Sequence, residues 1–331
     1  MTITKPTADL PIEGRLPSLT GATGWLNSPP LTAGDLSQKV VLVDFWTYTC
    51  INWLRTLGYV RAWAARYRAQ GLAVVGVHTP EFPFESDVEN VRQAAKDLGV
   101  EYPIALDSNY AIWGAFGNRY WPAVYIADAR GRIRHHQFGE GGYAECERVI
   151  QRLVRENGGG RVGDDLVAIV PDGFEAQADW ANLRSPETYL GYEQTHNFAS
   201  PGGAKIDESR AYVAPASPML NDWSLSGEWT VQSRASVLNE ADGGIVFRFH
   251  ARDVNLVMSP RVRGASVPFR VLIDGEPPGD AHGLDVDGAG HGTVVQPRLY
   301  QLVREPRSIT DRTLEITFLA PGVKAYVFTF G

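Results

Sequence analysis

Val40-Val41-Leu42-Val43-Asp44-Phe45-Trp46-Thr47-Tyr48-Thr49-Cys50-Ile51-Asn52-Trp53 decides how this chain is read. The apolar run 40–45 has the length and β-branched content of a buried strand. The cysteine after it opens a helix over 50–70. In that helix Leu54, Leu57, Val60, Trp63, Ala64 and Tyr67 recur at helical spacing, and Gly71 ends it. A helix N-terminus carries partial positive charge and unpaired backbone N–H groups, which favour thiolate over thiol. Cys50 is therefore expected to be a nucleophile. The alternative is a small buried hydrophobe, because free cysteines are among the most buried residues.

Outward from this stretch, strands and helices alternate. Residues 72–77 read as a second parallel strand, 88–98 as a helix closed by Gly99, and 109–116 as a short helix. Strands over 123–128 and 132–138 form a hairpin across Ala129-Arg130-Gly131, and 143–155 is a terminal helix. Strand–helix alternation with one closing hairpin predicts an α/β domain over 37–156. The preceding residues 1–36, rich in Pro, Gly and Thr, read as an irregular arm.

Glu156-Asn-Gly-Gly-Gly-Arg-Val-Gly163 marks a boundary, and 157–175 reads as a linker. From 176 to 331 the pattern changes to short strands between turns, at 228–235, 244–249, 254–258, 269–273, 298–303, 313–318 and 325–330. Asp274-Gly275 and Asp242-Gly243-Gly244 are turn signals. Many strands without helices between them predict a two-sheet, jelly-roll-like β-sandwich.

Composition fits two folded domains. The chain has 331 residues, 44% hydrophobic and 21% charged, enough for full cores. A net charge of −7 gives no support to nucleic-acid or anionic-membrane binding. No apolar run of about 18 residues exists, so no membrane insertion is expected. Residues 1–36 lack the basic-then-apolar pattern of a signal peptide. The chain as written is expected in the cytoplasm; cut from a membrane-tethered parent, the same domains would work outside it. Two cysteines make no disulfide framework.

The motifs carry a resemblance. Val43 to Cys50 resembles the thioredoxin segment Val-Asp-Phe-Trp-x-x-x-Cys, with Thr49 where Trp usually stands and Ile51-Asn52-Trp53 in place of Gly-Pro-Cys. Trp121-Pro122-Ala123-Val124-Tyr125-Ile126-Ala127-Asp128, followed by Gly131-Arg132-Ile133, resembles the cis-proline strand and hairpin of TlpA-like thioredoxins. Trp46-Thr-Tyr-Thr-Cys-Ile-Asn and Gly76-Val-His-Thr-Pro-Glu-Phe are similar to the soluble C-terminal region of DipZ-type proteins. In those, a thioredoxin-like domain is fused to a membrane electron-transfer domain and followed by a β-rich module. The resemblance covers nearly the whole chain. It departs at Trp53, where the resolving cysteine of Cys-x-x-Cys would stand, and at Gly58, where a helix-kinking proline is common.

The resemblance implies a thiol-disulfide oxidoreductase. Its substrate would be a thiol or disulfide, on a protein or a small molecule, with an electron-donor protein as partner and no cofactor. It assigns Cys50 as the reactive sulfur, Pro122 as the residue packed against it, and Asp44 as a buried carboxylate that would ordinarily serve the missing second cysteine. Asp44 is thus open to a proton-transfer role or a structural one. His78 falls at the C-terminal end of the second strand, where ligand groups gather in open α/β sheets, and an imidazole there would exchange a proton near neutral pH. The alternative is a turn histidine; Glu81 and Glu85 follow in the same loop.

Thr47, Thr49, Trp53, Arg119, Tyr120 and Trp121 are the candidate substrate-contacting residues. Tyr120 and Trp121 would wall the thiol. Cys146, in the first turn of the last helix, is too far from Cys50 by helix spacing to pair with it. A second reading is a one-cysteine peroxidase. Thr47-x-x-Cys50 matches part of the peroxiredoxin signature Pro-x-x-x-Thr-x-x-Cys, with Arg119 or Arg55 to orient peroxide, although Val43 holds the proline position. A third is a redox-inactive binding module, in which Trp53 fills the old sulfur site. The second domain offers Trp223, Trp229 and Tyr300 as a carbohydrate-binding face. Asp285-Val-Asp287-Gly-Ala-Gly-His291, with His282 nearby, fits a glycine-rich turn better than a calcium loop, because Ala289 breaks that pattern. No metal is expected.

Overall fold

The computed structural model describes residues 9–158, 160 and 162–331, which divide into two compact units, one up to Glu175 and one from Ala176 onward.

The first unit runs β1 (Gly14–Arg15), β2 (Gly24–Leu26), α1 (Ala33–Leu36), β3 (Val40–Trp46), α2 (Ile51–Tyr67), β4 (Leu72–His78), α3 (Val88–Asp97), β5 (Ile104–Leu106), α4 (Ala111–Phe116), β6 (Ala123–Ala127), β7 (Arg132–Phe138) and α5 (Tyr143–Glu156). Among the described residues its sheet has the order β1-β7-β6-β3-β4-β5-β2. Strand β3 is central and buried along its whole length, as an unbroken apolar run predicts for a strand covered on both faces. It pairs in parallel with β4, placing Trp46 beside His78, and antiparallel with β6. The thiol turn and the Trp121–Pro122 approach to β6 therefore meet at the same edge. Helix α2 passes into a short 3-10 turn and ends at Gly71, whose φ is 99°.

Two segments differ from expectation. Residues up to 36, read as an irregular arm, supply both edges of the sheet: β1 pairs with β7 and β2 with β5. Strands of two and three residues show no periodicity of their own; the ladder they join gives them their conformation. Part of the segment read as a linker packs against α5 and α2. The Val167 N–H donates to both oxygens of buried Glu147 at 2.9 Å, and Gln151 donates to the Asp165 carbonyl at 2.9 Å. At Gly58 the Glu175 carboxylate and Ile169 occupy the space a side chain would need, which accounts for a small residue at that turn of the helix.

The second unit holds β8 (Thr188–Tyr189), β9 (Ser209–Tyr212), β10 (Trp223–Val231), β11 (Ser236–Leu238), β12 (Gly243–Phe249), β13 (Asp253–Pro260), β14 (Val267–Ile273), β15 (His291–Val294), β16 (Arg298–Arg304), β17 (Arg312–Phe318) and β18 (Val323–Phe330). It is an all-β sandwich. Its two sheets share β10: Trp223–Ser226 pair with β12, and Gly227–Thr230 pair with β9. The strand changes sheets at Gly227, with φ 85° and a Cβ position only 2.7 Å from the Gly243 Cα, so glycine is required there.

The strand expected over 228–235 breaks after Val231, where Gln232 N–H bonds to the Ala235 carbonyl at 2.8 Å and closes a turn. Polar Gln232-Ser233-Arg234 cannot extend a buried strand. Trp223, Trp229 and Tyr300, expected as a sugar-binding face, are instead at most 1% exposed in the sandwich core, so that expectation is corrected.

Candidate functional site

Cys50 sits at the N-cap of α2 and is half-buried. Its N–H bonds to the Thr47 carbonyl at 3.2 Å, closing the turn from β3. The Leu54 N–H bonds to its carbonyl at 3.0 Å, beginning the helix. Its Sγ lies 3.7 Å from the Trp121 carbonyl oxygen, and the Trp121–Pro122 peptide bond is cis. The Pro122 carbonyl is capped by the Gly139 N–H at 2.9 Å. The helix start favours the thiolate, whereas the Trp121 carbonyl can accept a hydrogen bond only from the protonated thiol.

Trp53 lies one helical turn deeper and is fully buried. Its indole stacks on Trp46, with ring centroids 4.3 Å apart, and its Nε1–H donates to Asp44 Oδ2 at 3.0 Å. The Tyr102 hydroxyl donates to the same oxygen at 3.3 Å. Trp53 therefore bonds the buried acid and presents no exposed surface. Gly76, beside Asp44 in the next strand, makes room for this group: a Cβ there would come within 2.8 Å of Trp46 Nε1 and 3.0 Å of Tyr102. Burial pushes the Asp44 carboxyl up to about 7, against the pull of the Trp53 and Tyr102 donors.

His78 is 1% exposed between Trp46 and Tyr48, and its Nε2 meets no partner among the described residues. Burial pushes its pKa down to about 3, so it stays neutral. These surroundings disfavour the proton exchange near neutral pH that the sequence suggests. The strand end is right for a ligand group, but apolar rings seal it.

Thr47 and Thr49 are likewise buried. The Thr49 hydroxyl donates to Glu85 Oε1 at 2.6 Å. Tyr120 is 51% exposed and packs on Phe138, with ring centroids 5.0 Å apart. Trp121 tilts against Trp113 at 4.3 Å and donates its Nε1–H to the Thr79 carbonyl at 3.1 Å. Arg119 is exposed, and buried Arg55 pairs with Glu140 at 3.1 Å. Cys146 is buried, 3.6 Å from His135 Nε2, and burial pushes its thiol up to about 12. In the second unit, Asp287 accepts the Ala289 and His291 N–H groups and Asp285 pairs with Arg298, so this segment is a turn. Among the described residues no group of three or more His, Cys, Asp or Glu is placed to hold a metal.

Tyr102, Trp46 and Glu85 complete the site. Trp46 stands in the Val-Asp-Phe-Trp motif and Glu85 in the loop after His78, whereas Tyr102 gave no sequence signal.

Two family models match the chain: redoxin over residues 14–150 and thioredoxin-like C-terminal domain over 185–331. Protein DipZ of Mycobacterium tuberculosis is 37% identical over 322 residues, covering 96% of this chain and 43% of that protein. The chain therefore spans less than half the length of this relative. Thiol-disulfide oxidoreductase YkuV of Bacillus subtilis is 32% identical over 141 residues, covering 43% of this chain and 95% of that protein. A solution structure of a thioredoxin-like protein in the oxidized form is 32% identical, with a TM-score of 0.41, covering 44% of this chain and 97% of that one.

Proposed function

The chain belongs to the thioredoxin-like family of TlpA/DipZ-type thiol-disulfide oxidoreductases, and from that premise we propose that it exchanges disulfides through Cys50 alone. The observation that carries this reading is the Trp53 indole at the resolving position, its N–H bonded to Asp44, beneath a half-buried thiol at a helix start.

The Cys50 thiolate attacks one sulfur of a substrate disulfide. A Cys50–substrate disulfide forms, the substrate S–S bond breaks, and the departing sulfur leaves as thiolate. With no protein thiol at position 53, an external thiolate attacks the mixed disulfide, takes over the substrate sulfur and returns Cys50 as thiolate. The sum is disulfide exchange between two substrates; a second external thiol would convert it to net reduction. The helix N-terminus holds the Cys50 charge, and the cis-proline edge receives the substrate chain. Buried Asp44 keeps to Trp53 and Tyr102 and moves no proton in this cycle. Substrate and donor are thiols or disulfides of a protein or small molecule. The engagement of Arg55 by Glu140 gives the peroxidase reading no support.

Incubation with a small aromatic disulfide tests this directly. The unaltered chain is expected to form a one-to-one adduct at Cys50 that an added thiol releases, while Cys50→Ser forms none. An adduct on Cys50→Ser, or none on the unaltered chain, contradicts the proposal.

A further inference from the structure

We propose that Glu85 is a positioning residue for the Cys50 thiol, acting through Thr49. The proposal rests on the reading of Cys50 as the exchanging sulfur. Glu85 is fully buried, although it is a charged residue 35 positions further along the chain in the loop after β4. One oxygen accepts the Thr49 hydroxyl at 2.6 Å; the other accepts the Glu81 and Phe82 N–H groups at 2.6 and 2.8 Å. Thr49 is the residue immediately before the sulfur. A single carboxylate therefore ties the turn that presents Cys50 to the loop 79–86.

That loop is fixed from the other side too. Thr79 donates its N–H to the Trp46 carbonyl at 3.0 Å and its hydroxyl to Asp107 at 3.1 Å. Its carbonyl accepts the Trp121 indole, and the Trp121 carbonyl faces the Cys50 sulfur. Cys50, Trp121, the 79–86 loop, Glu85 and Thr49 thus form a closed ring of contacts around the thiol. A buried carboxyl group taking three donors is geometrically demanding; burial raises its pKa, and the Thr49 hydroxyl and the Phe82 and Glu81 N–H groups pull against that shift. Cut at Thr49, the ring leaves the sulfur free to shift from its place at the helix start and beside the Trp121 carbonyl.

The test is the pH dependence of Cys50 alkylation by iodoacetamide in the full chain, read by peptide mass spectrometry on samples with native circular dichroism. Thr49→Val is expected to raise the Cys50 midpoint by about 0.5 unit, the scale of a lost helix-terminus interaction, and to slow exchange with a small disulfide several-fold. Thr49→Ser, which keeps a hydroxyl, restores both. Should Thr49→Val fail to fold, Thr49→Ala gives the same reading. An unchanged midpoint and rate in either natively folded variant overturns the proposal. An ordinary thiol midpoint in the unaltered chain would instead sink the monothiol reading. In that case the latch is judged by the alkylation rate of Thr49→Val against Thr49→Ser, where equal rates overturn it.

Discussion

Cys50 and Cys146 both stand at the start of a helix of the first unit, and they have opposite surroundings. Cys50 caps α2, half-buried, with a backbone carbonyl 3.7 Å from its sulfur. Cys146 lies in the first turn of α5, 1% exposed, with burial pushing its thiol up to about 12 and the neighbouring Glu145 charge adding to the shift. Burial lowers the pKa of His135, 3.6 Å away, which weakens it as a counter-charge. A helix N-terminus is worth a few tenths to one kcal/mol near an exposed charge, while desolvation of a buried group amounts to several pKa units. Access to solvent therefore separates these two thiols more than helix position does.

Introducing a sulfur beside Cys50 sharpens that contrast most. Trp53→Cys is expected to cost about 3–5 kcal/mol, the range for emptying a buried aromatic site, because it removes the stack on Trp46 and the bond to Asp44. It is also expected to give a reversible disulfide between Cys50 and the introduced thiol, seen as a loss of two mass units. Denaturant unfolding and intact mass read the two effects. A stable variant with both thiols free after mild oxidation would show that the position is wrong for a resolving sulfur.

Asp44 repeats the burial lesson in a carboxyl group. Unfolded, it ionises near 3.8; folded, near 7. Between those values the native state keeps a proton that the unfolded state has lost, so stability falls as pH rises through this window and stays reduced above it. Asp44→Asn removes that penalty, and its amide can still accept from Trp53. The expected gain is about 2–4 kcal/mol at pH 8, with little change at pH 4. Denaturant melts at both values check it. A loss of stability at pH 8 would mean that the ionised carboxylate is held more favourably than its burial implies.

Much of this site could be read from the chain before its fold. The β3 run, the cysteine after it and the proline before β6 lie on regular elements whose pattern is local. The readings that failed depended on partners distant in sequence. His78 has the right strand-end position, but Trp46 and Tyr48 close over it. Trp223, Trp229 and Tyr300 are aromatic in any reading, and only the sandwich shows which face they occupy. Strands β1 and β2 are too short to carry a period. Thr49 meets Glu85 across two loops, a pairing that neither residue's neighbours announce.

The most direct test of the account is native-state alkylation of both cysteines in one sample, followed against pH by peptide mass spectrometry. The account predicts modification at Cys50 with a midpoint below that of an ordinary thiol, near 8.5, while Cys146 stays unmodified until the chain unfolds. Equal labelling of the two, or a Cys50 rate no faster than that of a free thiol, would contradict it.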